Sequence, residues 1–123
     1  MKKILLVEDD KFNRIMLNRR LELKNFNVLC AHDGQEAIDI AISEIPDLIL
    51  MDLSIPIKDG LTATKEIKKN KVTMDIPVIA LTAHAMEADK KEALEAGCDD
   101  FATKPVKFQA LLNKMELLLD KDN

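Results

Sequence analysis

The chain contains no tryptophan and no tyrosine, and its only aromatic residues are four phenylalanines. Proteins that bind single-stranded nucleic acid usually stack the bases on aromatic side chains, so this function is disfavoured. The net charge is −4 and the basic residues are scattered among acidic ones, which also argues against direct contact with nucleic acid. No glycine-rich phosphate loop is present, so nucleotide binding by such a loop is not expected.

Long apolar runs and paired cysteines are also scarce. The apolar run that starts at Ile4 ends at Glu8, which is too short for a signal peptide, and no window approaches a membrane span. Cys30 and Cys98 lie far apart, and we expect reduced, mostly buried thiols, although their positions leave a disulfide open. With 123 residues, 47% hydrophobic and 33% charged, the chain is expected to form one globular cytoplasmic domain over residues 1–123.

Apolar segments alternate with amphipathic ones along the chain, which predicts five strand–helix units. Asp10 is placed to cap the first helix, Asp33-Gly34 is predicted to form a turn, and Gly97 fits a helix C-terminus. Residues 56–60 are predicted to form a loop. The predicted strands are Lys2–Val7, Val28–Ala31, Asp47–Asp52, Pro77–Leu81 and Asp100–Thr103, and the predicted helices are Lys11–Asn25, Gln35–Glu44, Leu61–Lys69, Met86–Ala96 and Phe108–Leu119.

Three of the strands are continuously apolar, namely Ile4–Val7, Leu48–Met51 and Val78–Leu81. Such strands are typical of a parallel sheet that helices cover on both faces, so the predicted fold class is α/β with a doubly wound, five-stranded parallel sheet. Ligands of these sheets bind beyond the carboxyl ends of the strands, where the strand order reverses.

Polar residues follow four of the five predicted strands at that same edge. They are Glu8 and Asp9, Asp52, Thr82 and Lys104. Carboxylates grouped this closely repel one another unless a cation lies among them, and Mg²⁺ prefers such hard oxygen ligands. A divalent cation, a lysine and a hydroxyl group around one carboxylate can stabilise a transferring phosphoryl group, and that carboxylate can accept it as an acyl phosphate.

The sequence resembles the receiver domain of bacterial two-component response regulators, of the single-domain type, from Ile4 to about Leu118. This resemblance implies the flavodoxin-like (βα)5 response-regulator fold, and commonly a cis peptide between Lys104 and Pro105. The motifs that carry it are Val7-Glu8-Asp9-Asp10, Leu50-Met51-Asp52, Pro56-Ile57-Lys58-Asp59-Gly60, Ala80-Leu81-Thr82-Ala83 and Lys104-Pro105.

The resemblance also implies a phosphoacceptor and a metal site. Asp52 would accept the phosphoryl group. Asp9, Asp52 and the backbone carbonyl of Ser54 would bind Mg²⁺, for which Mn²⁺ would substitute, and Glu8 would act mainly through a metal-bound water.

Further roles follow for the other strand ends. Thr82 would donate a hydrogen bond to the phosphoryl group, and Lys104 would pair with that group or with Asp52. Thr82 and Phe101 would form the switch, although Phe101 lacks the hydroxyl of a tyrosine, and the responding face would comprise the fourth helix, fifth strand and fifth helix. Ser54 and His84 would tune the lifetime of the phosphoryl group.

The implied donor is a histidine kinase or a histidine phosphotransfer protein, and the implied output is changed contact with an unknown downstream protein, without a membrane or nucleic acid. The domain would catalyse only its own phosphorylation and dephosphorylation and would not be an enzyme with an external product. Phe12, Ile15 and Leu23 make the first helix more apolar than one buried stripe needs; they belong to the core or form a docking surface for the donor.

Three alternatives stay open. The segment 81–86 also resembles receivers of hybrid histidine kinases, so the chain could be excised from one, although Met1 and the polar C-terminus favour a free-standing protein. A Mg²⁺-dependent phosphohydrolase that forms an aspartyl phosphate is disfavoured, since Ser54 stands where such enzymes place a second acid. An interaction module that is not phosphorylated is disfavoured by the intact acids, Thr82 and Lys104.

Overall fold

The computed structural model describes residues 1–55, 58–83 and 86–120. Strands and helices alternate along the chain, as the hydrophobic pattern predicts. In chain order the elements are β1 (Lys3–Val7), α1 (Lys11–Leu23), β2 (Asn27–Ala31), α2 (Gly34–Glu44), β3 (Leu48–Asp52), α3 (Gly60–Lys69), β4 (Val78–Thr82), α4 (Glu87–Ala96), β5 (Asp100–Thr103) and α5 (Phe108–Asp120).

The five strands form one parallel sheet in the order β2-β1-β3-β4-β5. Residues of β3 and β4 are buried throughout, because helices cover both faces of the sheet. One apolar cluster joins the sheet to α2, α3 and α4, and the other joins it to α1 and α5. The predicted α/β, doubly wound flavodoxin-like fold is therefore confirmed, with the strand order reversing between β1 and β3.

Each of the five helices differs from its predicted bounds by one or two residues at one end. Asp33 does not form a free turn with Gly34: its carboxylate accepts the backbone N–H of Glu36 at 2.8 Å and caps α2, which begins at Gly34. A side chain at Gly34 would collide with the carbonyl oxygen of Lys58, so glycine is required there. The first helix ends at Leu23 and not at residue 25, because Asn25 adopts a left-handed conformation with φ of 69°.

The helix α3 also begins earlier than predicted. Its first residue is Gly60, because the Asp59 carboxylate accepts the backbone N–H of Thr62 at 2.8 Å and caps it. Pro56 and Ile57, in the loop predicted before this helix, lie outside the described residues.

Other predictions from the sequence are confirmed. Asp10 caps α1, and Gly97 ends α4 with φ of 108°. Cys30 is half-buried, Cys98 is buried and both are free thiols. The Lys104-Pro105 peptide is cis. Among the described residues, no helix is long and apolar enough to cross a membrane.

Candidate functional site at the carboxyl edge of the sheet

The strand register brings the predicted polar residues to one place. Val7 pairs with Met51, so Glu8 and Asp9 follow β1 beside Asp52, the last residue of β3. In β4 and β5, Thr82 pairs with Thr103, and Lys104 follows directly. The four strand ends identified from the sequence therefore converge, as expected for a parallel sheet.

Three carboxylates form the acidic part of the site. Glu8, Asp9 and Asp52 each offer a carboxylate oxygen, and these oxygens lie within 4.8 Å of one another. Asp52 and Glu8 are almost fully buried, with 2% and 3% of their surface exposed, whereas Asp9 is exposed. One side of the cluster is therefore open to solvent, and the other is enclosed by the sheet.

Lys104 and Ser54 provide the hydrogen bonds of Asp52. The Lys104 ammonium nitrogen lies 2.8 Å from Asp52 Oδ2 and 3.3 Å from Glu8 Oε1. Asp52 Oδ1 accepts hydrogen bonds from the backbone N–H of Ser54 at 3.0 Å and from its hydroxyl at 3.1 Å. These contacts fix the orientation of the Asp52 carboxylate. They also bring Ser54 into the site, while its role as a carbonyl ligand of a metal stays a prediction.

The proximity of these groups changes their ionisation. Burial raises the pKa of Glu8, and the neighbouring Asp52 carboxylate raises it further, to about 7. Burial alone would raise the pKa of Asp52, but the neighbouring Glu8 carboxyl group and the contacts with Lys104 and Ser54 outweigh it and lower that pKa. Burial likewise opposes the charge of Lys104, yet Asp52 and Glu8 raise the pKa of its ammonium group.

The site has a structural feature that favours a cation. Glu8 Oε2 is buried and has no hydrogen-bond partner among the described residues. A buried oxygen without a partner is costly, and a metal ion or metal-bound water beside it would remove that cost. Hard carboxylate oxygens, one of them exposed to solvent, suit an ion such as Mg²⁺, which usually keeps several waters. The residues present therefore fit the predicted metal.

The other predicted residues have different surroundings. Thr82 is buried and is the last residue of β4, at the same edge of the sheet. Phe101 in β5 is half-buried, and the ammonium nitrogens of Lys90 and Lys114 lie 4.9 and 5.1 Å from its ring centroid. His84, which was predicted to tune the phosphoryl lifetime, lies outside the described residues.

One residue near the site was not predicted from the sequence. The Arg14 guanidinium in α1 donates to the backbone carbonyls of Glu8 at 2.9 Å and Asp9 at 3.4 Å. The available signal was the position of Arg14 in the sequence, less than two helical turns after the end of β1. A long donor side chain at that distance can reach back to the loop between the strand and the helix.

A comparison with protein families agrees with this geometry. Residues 4–116 match the model of the response regulator receiver domain. The chain belongs to the receiver domain family. It is therefore a receiver domain of two-component signalling, and such domains are generally signalling modules and not classical enzymes.

Solved structures of receiver domains resemble this one closely. The receiver domain of a sensor histidine kinase from Pseudomonas aeruginosa, with a magnesium ion coordinated in its active site cleft, is 34% identical, with a TM-score of 0.91 and coverage of 97% of this chain and 98% of that one. A two-component response regulator from Clostridium difficile is 29% identical, with a TM-score of 0.92 and coverage of 100% and 99%.

A third relative is a receiver domain seen with a partner. The receiver domain of a response regulator from Saccharomyces cerevisiae, in a co-crystal with a histidine phosphotransfer protein, is 34% identical to this receiver domain. The TM-score is 0.85, and the match covers 92% of this chain and 85% of that one.

Proposed function

We propose that this receiver domain accepts a phosphoryl group from a phosphohistidine onto Asp52, with Mg²⁺ as the cofactor. The observation that carries the proposal is the surroundings of Asp52. Its buried carboxylate lies 2.8 Å from the Lys104 ammonium nitrogen and within 4.8 Å of the Glu8 and Asp9 oxygens. These are the groups that a phosphoacceptor carboxylate requires for charge compensation.

In the proposed reaction, a carboxylate oxygen of Asp52 attacks the phosphorus atom of the phosphohistidine. A new P–O bond forms, the P–N bond breaks, and the imidazole leaves with the electron pair of that bond. Ser54 fixes the Asp52 carboxylate through two hydrogen bonds to Oδ1, and Lys104 orients Oδ2. The low pKa of Asp52 keeps this nucleophile deprotonated at neutral pH.

The metal would be held by the acids of the same edge. Asp9, Asp52 and the Ser54 carbonyl would be its ligands, with Glu8 acting mainly through a bound water, and Mn²⁺ would replace Mg²⁺. Bound there, the metal would supply positive charge to the phosphoryl oxygens as negative charge develops on them. Support comes from the orphaned Glu8 Oε2 and from the relative with a coordinated magnesium ion.

Lys104 and Thr82 would bind the phosphoryl group after transfer. Lys104 would exchange its contact with Asp52 for one with a phosphoryl oxygen, and the Thr82 hydroxyl would donate to another. Phe101 would follow Thr82 inward, which changes the face made by α4, β5 and α5 and thereby the contact with an unknown downstream protein. Ser54 and His84 would set the access of water to the acyl phosphate and so its lifetime.

The proposed donor is a histidine kinase or a histidine phosphotransfer protein that docks on α1. Phe12, Ile15 and Met16 are 81%, 53% and 53% exposed on this helix. A cavity of about 270 Å³ beside them is lined by Met16 and Arg20 and also by Glu8 and Lys104 of the site. An apolar surface beside a cavity that Glu8 and Lys104 also line suits a helical donor. The relative in complex with a histidine phosphotransfer protein also supports this donor.

We propose a cytoplasmic receiver domain over residues 1–123, free-standing or as part of a hybrid histidine kinase. A phosphohydrolase is the weaker candidate, because Ser54 and not an acid follows Asp52 by two residues. Turnover of a generic phosphomonoester in the presence of Mg²⁺ would favour the phosphohydrolase over the proposal.

The proposal is tested by phosphorylation with acetyl phosphate. The purified protein is incubated with acetyl phosphate with and without Mg²⁺, and its intact mass is measured beside the Asp52→Asn and Asp59→Asn variants. Asp59 is a suitable control, since it is a nearby exposed acid that caps α3, and asparagine also caps helices. We expect one phosphoryl group on the wild type and Asp59→Asn and none on Asp52→Asn. A gain in all three proteins, or in none, would contradict the proposal.

A further inference from the structure

The guanidinium group of Arg14 contacts the loop that carries two of the proposed metal-binding acids. Arg14 lies in α1 and is half-buried, and its side chain extends back toward the start of the helix. Its Nη1 atom donates to the Glu8 carbonyl at 2.9 Å and lies 3.4 Å from the Asp9 carbonyl. The side chain therefore spans the short connection between β1 and α1.

Arg14 satisfies three consecutive carbonyls of this connection. Besides the two side-chain contacts to Glu8 and Asp9, its backbone N–H donates to the Asp10 carbonyl at 2.9 Å. On the other side, the Glu8 backbone N–H donates to the Ala31 carbonyl of β2 at 3.1 Å. The loop is thus fixed by β2 at one end and by Arg14 along its length.

The backbone of this loop determines where the acids point. The Glu8 and Asp9 carbonyls are attached to the same Cα atoms as their carboxylate side chains, so fixing the carbonyls limits the directions of the carboxylates. Mg²⁺ demands nearly ideal octahedral geometry, and groups that orient ligands affect metal affinity strongly. The contacts found for the Arg14 guanidinium go to carbonyl oxygens, which leaves the carboxylates available to a cation.

We infer that Arg14 is a positioning residue for the metal site: it holds the backbone of Glu8 and Asp9 so that their carboxylates face the cation. This inference rests on the proposed function, because it concerns the same metal. Arginine is suited to the role because its rigid guanidinium holds the Nη1 atom in a fixed direction, whereas a lysine ammonium is a point charge on a flexible stem.

Positioning and simple electrostatics predict opposite changes in Mg²⁺ affinity when Arg14 is replaced by an uncharged residue. The permanent positive charge of Arg14 repels Mg²⁺, so its loss alone would tighten Mg²⁺ binding. Loss of positioning would weaken binding instead. The sign of the change therefore separates the two effects.

The experiment is a calorimetric Mg²⁺ titration of the EDTA-treated protein, its Arg14→Met and Arg14→Lys variants, and Arg19→Met. Arg19 is an exposed residue of the same helix, and its replacement changes the net charge by the same amount. We expect Arg14→Met to raise the Mg²⁺ dissociation constant roughly tenfold and Arg14→Lys to raise it as well. Arg19→Met should leave it unchanged or slightly lower.

The outcomes separate the inference from the proposed function. The metal site is supported if the wild-type protein binds Mg²⁺ and an Asp9→Asn variant does not. In that case, unchanged or tighter Mg²⁺ binding by Arg14→Met overturns the role of Arg14 alone. Wild-type protein that binds no Mg²⁺ overturns both.

Folding is followed by urea denaturation in EDTA. If Arg14→Met does not fold, Arg14→Lys decides: weaker Mg²⁺ binding at an unchanged urea midpoint supports positioning, and wild-type affinity contradicts it. If Arg14 only stabilised the fold, its replacement would lower the urea midpoint without weakening Mg²⁺ binding in the folded variants. That result would also contradict positioning.

Discussion

At the scale of single residues, the site depends on the balance of charge around Asp52. Two buried carboxylates, Glu8 and Asp52, share one cation, Lys104, whose ammonium nitrogen lies 3.3 and 2.8 Å from them. A buried carboxylate pair with one lysine has an unbalanced negative charge, which a divalent metal would compensate. The same lysine would later bind the phosphoryl group, so it contributes before and after the transfer.

Replacement of Lys104 by methionine tests this role. The variant keeps the length of the side chain but loses the charge that would stabilise the transferring phosphoryl group. We expect the rate of phosphorylation by acetyl phosphate to fall roughly 10²-fold or more at saturating Mg²⁺. The rate is measured by intact mass against time. A rate within a few fold of wild type would show that Lys104 has no part in the transfer.

The raised pKa of Glu8 predicts a pH dependence of Mg²⁺ binding. Burial and Asp52 raise the pKa of Glu8 to about 7 in the metal-free protein, so below that pH the carboxyl group holds a proton that must leave before Glu8 can assist the metal. Mg²⁺ affinity should therefore rise with pH, by roughly tenfold between about pH 6 and pH 8. Titration calorimetry over this range measures the change.

The control for this prediction is Glu8→Gln, which removes the titrating group but keeps the shape of the side chain. Its Mg²⁺ affinity should be weaker than that of wild type and should change little with pH. If Glu8→Gln retains the wild-type slope, the pH dependence belongs to another group, such as a histidine, and not to Glu8.

The backbone of Ile45 is strained, and this strain is unrelated to the site. It ends α2 in a left-handed conformation, with φ of 44° and ψ of 66°, and is 54% exposed. A β-branched residue is unfavourable in this conformation, whereas glycine and asparagine tolerate it. Ile45→Gly should therefore raise the free energy of unfolding by about 1 kcal/mol in urea denaturation.

A reciprocal variant supplies the control for Ile45. Asn25 also has a positive φ, of 69°, and already carries a tolerant side chain. Asn25→Ile should lower the free energy of unfolding by a similar amount. If Ile45→Gly destabilises the protein, contacts of the Ile45 side chain outweigh the backbone strain.

At the scale of secondary structure, the proposed output element is held by two lysines. Phe101 of β5 lies beneath Lys90 of α4 and Lys114 of α5, at 4.9 and 5.1 Å from the ring centroid. Lys114 also donates to the Phe101 carbonyl at 2.9 Å. Cation–π contacts of this kind stabilise the observed ring position, so an inward movement that takes the Phe101 ring away from these lysines loses them.

Lys90→Met should therefore favour an inward position of the Phe101 ring. A contact of about 1 kcal/mol corresponds to a shift of roughly fivefold in the ratio of inward to observed ring positions. Fluorine NMR of protein labelled with fluorophenylalanine measures this ratio, with the Phe101 signal assigned by substitution. Lys91→Met is the control, because Lys91 is an exposed neighbour in α4. Equal spectra for Lys90→Met and Lys91→Met would contradict the role of Lys90.

The sequence predicts the type and order of the elements better than their ends. Continuous apolar runs such as Leu48–Met51 identify buried parallel strands, since few other elements need every residue to be apolar. Helix ends are harder, because Asp33 and Gly34 suit a turn and a helix cap equally well. In the structure Asp33 caps α2, and the Lys58 carbonyl, which is distant in the sequence, leaves no room for a side chain at Gly34.

At the scale of the whole molecule, the parallel sheet explains why the site could be predicted. Four strand ends must meet at one edge, so the convergence of Glu8, Asp52, Thr82 and Lys104 follows from the topology. Contacts made by long side chains between separate elements do not follow in this way. The reach of Arg14 to the loop before α1 depends on its rotamer, which the hydrophobic pattern does not determine.

The central claim is that Asp52 receives the phosphoryl group, and chemical mapping of the modified residue tests it most directly. The protein is phosphorylated with acetyl phosphate and Mg²⁺ and then treated with sodium borohydride, which reduces an aspartyl phosphate to homoserine. Tandem mass spectrometry of the peptides should find homoserine at position 52 and unchanged aspartate at positions 9 and 59. Homoserine at another position, or a phosphorylated protein without homoserine at position 52, would contradict the claim.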